Sequence, residues 1–252
     1  MRAAYWLLPL ASAACAHGAR PGPTLAPEQV LAQARAEFRA GKFTKALVTF
    51  RRVQFELPPN DPALPEVHYA MAESEFQSGQ LVDAAHDFHG VADQYPGSAY
   101  AAVSLLRAGD ANMRLWRNPE LDPSYGEAAL AIYQDLAGRY PDSDAAARAQ
   151  LHVRALRNWF ADKAYKNGIF YFKRRAWDSG IIYFKDIVAN YPEAARAPDA
   201  LLRLVDTYRA IGYKEELQEA CAHLRRFYPQ AGGIDKSCPP ERPAPPSSSG
   251  SP

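Results

Sequence analysis

The sequence predicts an all-α fold, about five helix–turn–helix repeats stacked into a solenoid. Three observations predict it. Five segments end in an aromatic residue or Leu followed by Pro: Leu57-Pro58, Tyr95-Pro96, Tyr140-Pro141, Tyr191-Pro192 and Tyr228-Pro229. Twelve residues before each proline stand Ala46, Ala84, Ala129, Gly180 and Leu217; eight before it stand Phe50, Phe88, Tyr133, Phe184 and Cys221. Seventeen before it, where a turn fits, stand Gly41, Gly79, Ser124, Arg175 and Gly212. A small residue and a ring four apart share one helix face. Proline then ends the helix, because it lacks an N–H and restricts the residue before it.

Composition narrows the function classes. The 252 residues are 48% hydrophobic and 23% charged, so the bulk can bury a core. A formal net charge of +1 lacks the basic footprint of a nucleic-acid binder. Three cysteines are too few for a disulfide-rich scaffold, and none are at zinc-finger spacing. No apolar run reaches the roughly 20 residues that span a bilayer.

The chain opens with MRAAYWLLPLASAA, residues 1–14, followed by Cys15. One Arg, a short apolar stretch and a run of small residues read as a secretory signal peptide. A cysteine directly after small residues looks like the lipobox of bacterial lipoproteins, in which signal cleavage leaves that cysteine first and acylated. Ser12 departs from that pattern, which prefers Leu there; an ordinary cleaved signal with an incidental Cys15 is the other reading. Acyl chains on Cys15 would anchor firmly, at about 0.8 kcal/mol per buried methylene. Residues 15–27 then form a Pro- and Gly-rich lipidated tether.

Residues 28–141 hold repeats 1–3. Val30, Leu31, Ala34 and Phe38 recur at helical spacing before the first turn, and Tyr69, Met71, Ala72 and Phe76 before the second. Two helices per unit with a small residue at the crossing is the tetratricopeptide (TPR) pattern. Its small first-helix position, 24 residues before the proline, is Ala34, Ala72, Gly168 and Val205. In the third repeat the same role falls to Gly109 if Arg117–Pro123 (RNPELDP) is an insertion between the helices. Residues 142–229 hold a long linking helix and repeats 4 and 5. From Asp144 to Arg174 only Gly168 interrupts the helical pattern, and Ser143 is a good N-cap; one long helix or two abutting ones fit. Leu201, Leu204, Val205 and Tyr208 mark the first helix of the last repeat. Residues 230–252, ending PPERPAPPSSSGSP, read as a disordered tail.

Catalytic patterns are missing from the sequence: there is no GxSxG, Walker A, GxGxxG or HExxH. No cofactor or metal is expected. His86 and His89 share a face at i, i+3, but no carboxylate or Cys completes a ligand set, so a solvated helix face is expected. Cys221 takes an inward repeat position and Cys238 lies just past the last helix. In an oxidising compartment the two can pair, or they stay as free thiols.

A solenoid without a catalytic set suggests a binding surface. The groove-facing positions of the TPR pattern are Leu31, Arg35, Phe38 and Arg39 in repeat 1, and Tyr69, Glu73, Phe76 and Gln77 in repeat 2. Aromatic groups flanked by Arg suit an extended peptide with aromatic side chains and a carboxylate. Alternatively, Phe38 and Phe76 pack between neighbouring repeats.

From Cys15 to about Pro229 the chain resembles the BamD family, outer-membrane assembly lipoproteins of Gram-negative bacteria. The run Phe160–Ala194 (FADKAYKNGIFYFKRRAWDSGIIYFKDIVANYPEA) carries most of the resemblance, with Ala197–Leu201, Tyr208–Gly212 and Asp122-Pro123 before Ala128-Ala129. The resemblance implies a non-enzymatic scaffold, lipid-anchored at Cys15 on the periplasmic face of the outer membrane. It implies partners: a barrel-forming BamA-like subunit, accessory lipoproteins and unfolded outer-membrane proteins. The barrel subunit would meet the C-terminal repeats, with Arg175, Trp177, Tyr183 and Lys185 as candidates, and substrate signals the N-terminal repeats. Many family members place an Arg before the Phe184 position, where this chain has Tyr183. A different periplasmic TPR adaptor, such as a CpoB-like coordinator of cell-wall synthesis, is the alternative; its even spacing and N-terminal coiled coil are not seen here.

Overall fold

The structure, a computed structural model, describes residues 25–240. Cys15, the signal, most of the tether and the end of the tail lie outside the described residues. Those described form helices and connecting turns, with no strand among them. In order they are α1 (Pro27–Arg39), α2 (Phe43–Glu56), α3 (Leu64–Gln77), α4 (Leu81–Gln94), α5 (Ala101–Leu115) and α6 (Ser124–Arg139). Then follow α7 (Asp144–Lys173), α8 (Trp177–Asn190), α9 (Ala197–Ile211), α10 (Lys214–Phe227) and the short α11 (Ile234–Ser237).

The repeat spacing accounts for these boundaries. Each second helix stops one residue before its aromatic-Pro or Leu-Pro pair. Gly41, Gly79 and Gly212 adopt positive φ at the hairpin turns, the conformation glycine takes without penalty. Arg175 takes the same conformation at φ 59°, the one non-glycine among the described residues to do so. Ser124, the turn position of the third repeat, instead starts α6, because the insertion supplies the turn before it.

Packing inside each hairpin follows the small-against-ring pattern. Ala34 and Phe50 share one core cluster, and Ala72 and Phe88 the next. A side chain on Gly109 would run into the Tyr133 ring, and one on Gly168 into Phe184. These second-helix rings are at most 1% exposed. At this packing density a glycine is what lets the backbones approach.

The third hairpin carries the expected insertion. Trp116 anchors it, lying over the backbone of Gly126 and 4.7 Å from the Phe160 ring. Lys163 Nζ then donates to the carbonyls of Glu120 and Leu121. The link is one helix, the 30-residue α7, whose first turn is capped by Ser143 Oγ accepting from the Ala146 N–H at 3.1 Å. Ala145, Ala149 and Leu156 of α7 join the core of repeat 3, whereas Ala161 and Ala164 join that of repeats 4 and 5. The tyrosines of the Tyr-Pro pairs also tie repeats together: Tyr140 Oη donates to the Pro96 carbonyl and Tyr228 Oη to that of Pro192.

The tail boundary needs correction. Order continues past residue 229: Ile234 of α11 is buried, and Cys221 and Cys238 form a disulfide. Apolar burial and the cross-link hold residues 230–240 against the last repeat. The expectation of a tail disordered from residue 230 missed the burial of Ile234, whereas the disulfide is one of the two states the sequence left open for Cys221 and Cys238.

Candidate functional site

Ion pairs join successive first helices of the hairpins. Arg35 on α1 meets Glu66 on α3, with Nε at 2.7 Å and Nη2 at 2.5 Å from its two oxygens. Glu73 on α3 meets Arg107 on α5 in the same bidentate way, at 2.6 and 2.8 Å. Asp162 on α7 meets Arg196 at the start of α9, at 2.9 Å. Planar guanidinium–carboxylate pairs give orientation as well as energy.

Between α1 and α3 lies a cleft of about 460 Å³. Phe38, Phe50 and Tyr69 form its apolar walls, and Tyr100, just before α5, closes it. The Tyr69 and Tyr100 rings are 5.2 Å apart. Burial pushes both phenols above their ordinary range, so both remain hydrogen-bond donors. Two cations border the cleft. The Glu66 pair holds Arg35 charged and oriented. Arg39 has no ion-pair partner among the described residues and stays available. The arrangement can take an aromatic side chain and one anionic group.

Of the sequence-predicted groove residues, Arg35, Phe38, Arg39 and Tyr69 meet in this cleft. Leu31 does not; it is buried in the core of repeat 1. Glu73, Phe76 and Gln77 form a separate, internally satisfied cluster. Arg107 is seated 3.8 Å over the Phe76 ring while pairing with Glu73, and Gln77 donates to Glu73 at 2.6 Å. Phe76 packs with Ala108 and Ala111 of the next repeat, the interface role weighed for it, whereas Phe38 packs within its own hairpin against Phe43 and Phe50. Sequence reading missed Glu66 and Tyr100, because both come from the starts of following repeats; their one signal was position at a helix start.

The C-terminal candidates divide between two faces. Arg175 and Trp177 sit at the α7–α8 turn, where Trp177 packs 5.3 Å from Phe172. Tyr183 stacks on Tyr171 of α7 at 5.6 Å. Lys185 points the other way, into a cleft of about 410 Å³ with Tyr208 and the carboxylates Glu216 and Glu219. His86 and His89 each contact an aspartate of their own, Asp87 and Asp93. No group of three or more His, Cys, Asp or Glu converges among the described residues, and no described helix is long and apolar enough to cross a membrane.

Stacked helical hairpins locked by small-against-ring contacts, with a cleft between first helices, define a TPR-type α-solenoid. Residues 23–224 match the family described as outer membrane lipoprotein, YfiO, and the chain belongs to that family, the BamD family. It is similar to outer membrane protein assembly factor BamD of Caulobacter vibrioides, 27% identical over 135 residues, 54% of this chain and 44% of that one. It is also similar to the BamD of Vibrio cholerae, 30% identical over 97 residues, 38% of this chain and 40% of that one. The matched regions thus span less than half of these relatives. Among solved structures, the TPR2AB domain of yeast Sti1 is similar at TM-score 0.41 and 14% identity, covering 81% of this chain and 78% of that one.

Proposed function

We propose that the chain is a non-enzymatic scaffold in the assembly of outer-membrane β-barrel proteins. Membership of a family whose curated members are named outer membrane protein assembly factors supports the role. The observation that carries the binding mechanism is the α1–α3 cleft, where Phe38, Tyr69 and Tyr100 stand beside Arg39, unpaired among the described residues. That chemistry fits the C-terminal end of an unfolded barrel protein, an extended segment with an aromatic side chain and a free carboxylate. The turn at Arg175 and Trp177, with Tyr183 and Lys185 on the flanking faces of α8, is the proposed meeting point with the barrel-forming subunit. Accessory lipoproteins complete the assembly. Acylated Cys15 would hold the scaffold to the periplasmic face of the outer membrane, raising the local concentration of subunit and substrate.

The test is titration of the chain with a barrel C-terminal peptide, as free acid and as amide. Phe38→Ala and Arg39→Ala each weaken binding of the acid by about tenfold, and only Arg39→Ala erases the difference between acid and amide. Equal affinity of wild type and both variants would remove the cleft from the mechanism. Cys15→Ala moves the protein out of the membrane fraction; unchanged fractionation would remove the anchor.

A further inference from the structure

In four of the five hairpins a small residue on the first helix accepts a ring from the second: Ala34 with Phe50, Ala72 with Phe88, Gly109 with Tyr133, Gly168 with Phe184. The fifth hairpin reverses the sizes. Its first helix presents Val205 and its second Cys221, both buried in the same cluster. Cys221 stands where the other repeats have their ring, and it is bonded to Cys238, 17 residues onward. The segment thereby held covers the open end of the solenoid. Ile234 is buried in the last core cluster, Leu202 of α9 lies beside Gly233, Arg209 donates to the Ser237 carbonyl and Arg225 to that of Pro239. Stacked repeats need such a cap, because the last unit has no neighbour to cover its apolar side.

We infer that the Cys221–Cys238 disulfide is a covalent lock that replaces the missing ring, so that the fifth repeat closes fully only after oxidation. The step is thiol–disulfide exchange with a protein or small-molecule disulfide. The thiolate of one cysteine attacks that disulfide, the other then displaces it, and two reduced thiols with their protons leave on the oxidant. Cys221 is 1% and Cys238 5% exposed, so a reductant reaches the bond only when residues 230–240 lift away. The segment the bond holds packs on α9 and α10, and each repeat contacts only its neighbours, so loss of the bond is felt locally, in α9, α10 and α11.

Hydrogen exchange on the full chain tests this, comparing oxidised protein with protein reduced under mild denaturant and returned to buffer. Amides of α9 and α10 exchange faster by at least about tenfold after reduction, while those of α1–α6 keep their rates. Cys221→Ser with Cys238→Ser reproduces the reduced pattern. The triple variant Val205→Ala, Cys221→Phe, Cys238→Ser rebuilds the pair used by the other repeats; it regains protection and ignores reductant. Unchanged exchange in α9 and α10 on reduction would overturn the lock. A triple variant that exchanges as fast as the double serine variant would overturn the claim that the bond stands in for a ring.

Discussion

The Phe184 ring occupies the space that a side chain on Gly168 would need: a Cβ there would stand 2.5 Å from the ring edge. Phe184 is completely buried and has no room to retreat. Gly168→Ala therefore sets two effects against each other. Alanine gains about 1 kcal/mol of helix propensity. Overpacking a filled core costs about 1–3 kcal/mol. The clash wins, for a net loss of up to about 2 kcal/mol, and Gly168→Val loses more. Gly138 of α6 is the control, since a Cβ added there would meet nothing within 4 Å. Gly138→Ala is expected to gain about 0.5–1 kcal/mol. Thermal melts of the two variants should shift in opposite directions.

A second prediction concerns Glu73 and Arg107. Their side chains are 12% and 18% exposed, so solvent screens them little. Removing one partner strands a charge in the packed junction of α3 and α5. Arg107 retains Asp110 at 3.2 Å, which softens the loss. Glu73→Ala should cost about 2–4 kcal/mol. Denaturant midpoints for Glu73→Ala and Glu73→Met/Arg107→Met decide it: the single change falls sharply, while the double change recovers part of the loss, the remainder reflecting Asp110 left without Arg107.

That pair also shows where sequence reading stops. Helix register puts Glu73 on the same face as Tyr69 and Phe76, and it cannot reveal that an arginine one repeat onward neutralises it. The repeats themselves were legible because proline, the ring and the small residue recur at constant spacing, each enforced by a local steric rule. The cleft was half legible. Arg35, Phe38 and Arg39 lie on one helix, but Glu66 and Tyr100 enter from following repeats, and the inter-repeat angle is not written in any local pattern. The ordered end past residue 229 was half legible: Cys238 stood out as a possible partner for Cys221, but Pro-rich composition outweighed Ile234, whose burial depends on the surface it meets.

The pH dependence of stability should carry two opposite contributions. Glu75 on α3 is buried, pushed up to about 7 chiefly by that burial and further by the charge of Asp87 on α4, against the hydrogen bond from Arg51 on α2. A raised acid binds its proton more tightly folded than unfolded, so stability falls as pH climbs from the ordinary carboxylate range to about 7. Glu37 is the reverse, held down to about 2 first by Thr49 Oγ1, then by Gln33, with Lys45 adding its charge. Its contribution is complete above the ordinary range and disappears as pH drops toward about 2. Melting curves between about pH 3 and pH 8 should show Glu75→Gln flattening the neutral limb and Glu37→Gln flattening the acid limb. If both variants keep the wild-type profile, these carboxylates are not the groups that titrate.

Arg175, a proposed contact for the barrel-forming subunit, sits in a strained backbone conformation. Its φ of 59° matches the turn glycines Gly41, Gly79 and Gly212, at φ 70°, 82° and 81°. A side chain in that region costs about 1–2 kcal/mol. Glycine would relieve it, at the expense of about 0.5–1 kcal/mol in unfolded-chain freedom. Arg175→Gly is thus expected to raise stability by about 0.5 kcal/mol, a shift of about 1–2 °C in Tm. Residues kept in strained conformations concentrate at binding sites. If Arg175 is kept for the barrel-forming subunit, the more stable variant must bind that subunit more weakly. Calorimetric melting and a pull-down of the subunit on the same preparation separate the two effects. A variant that melts higher and binds equally well would leave the strained turn without a recognition role, and one that melts lower would mean the arginine makes stabilising contacts that outweigh its backbone cost.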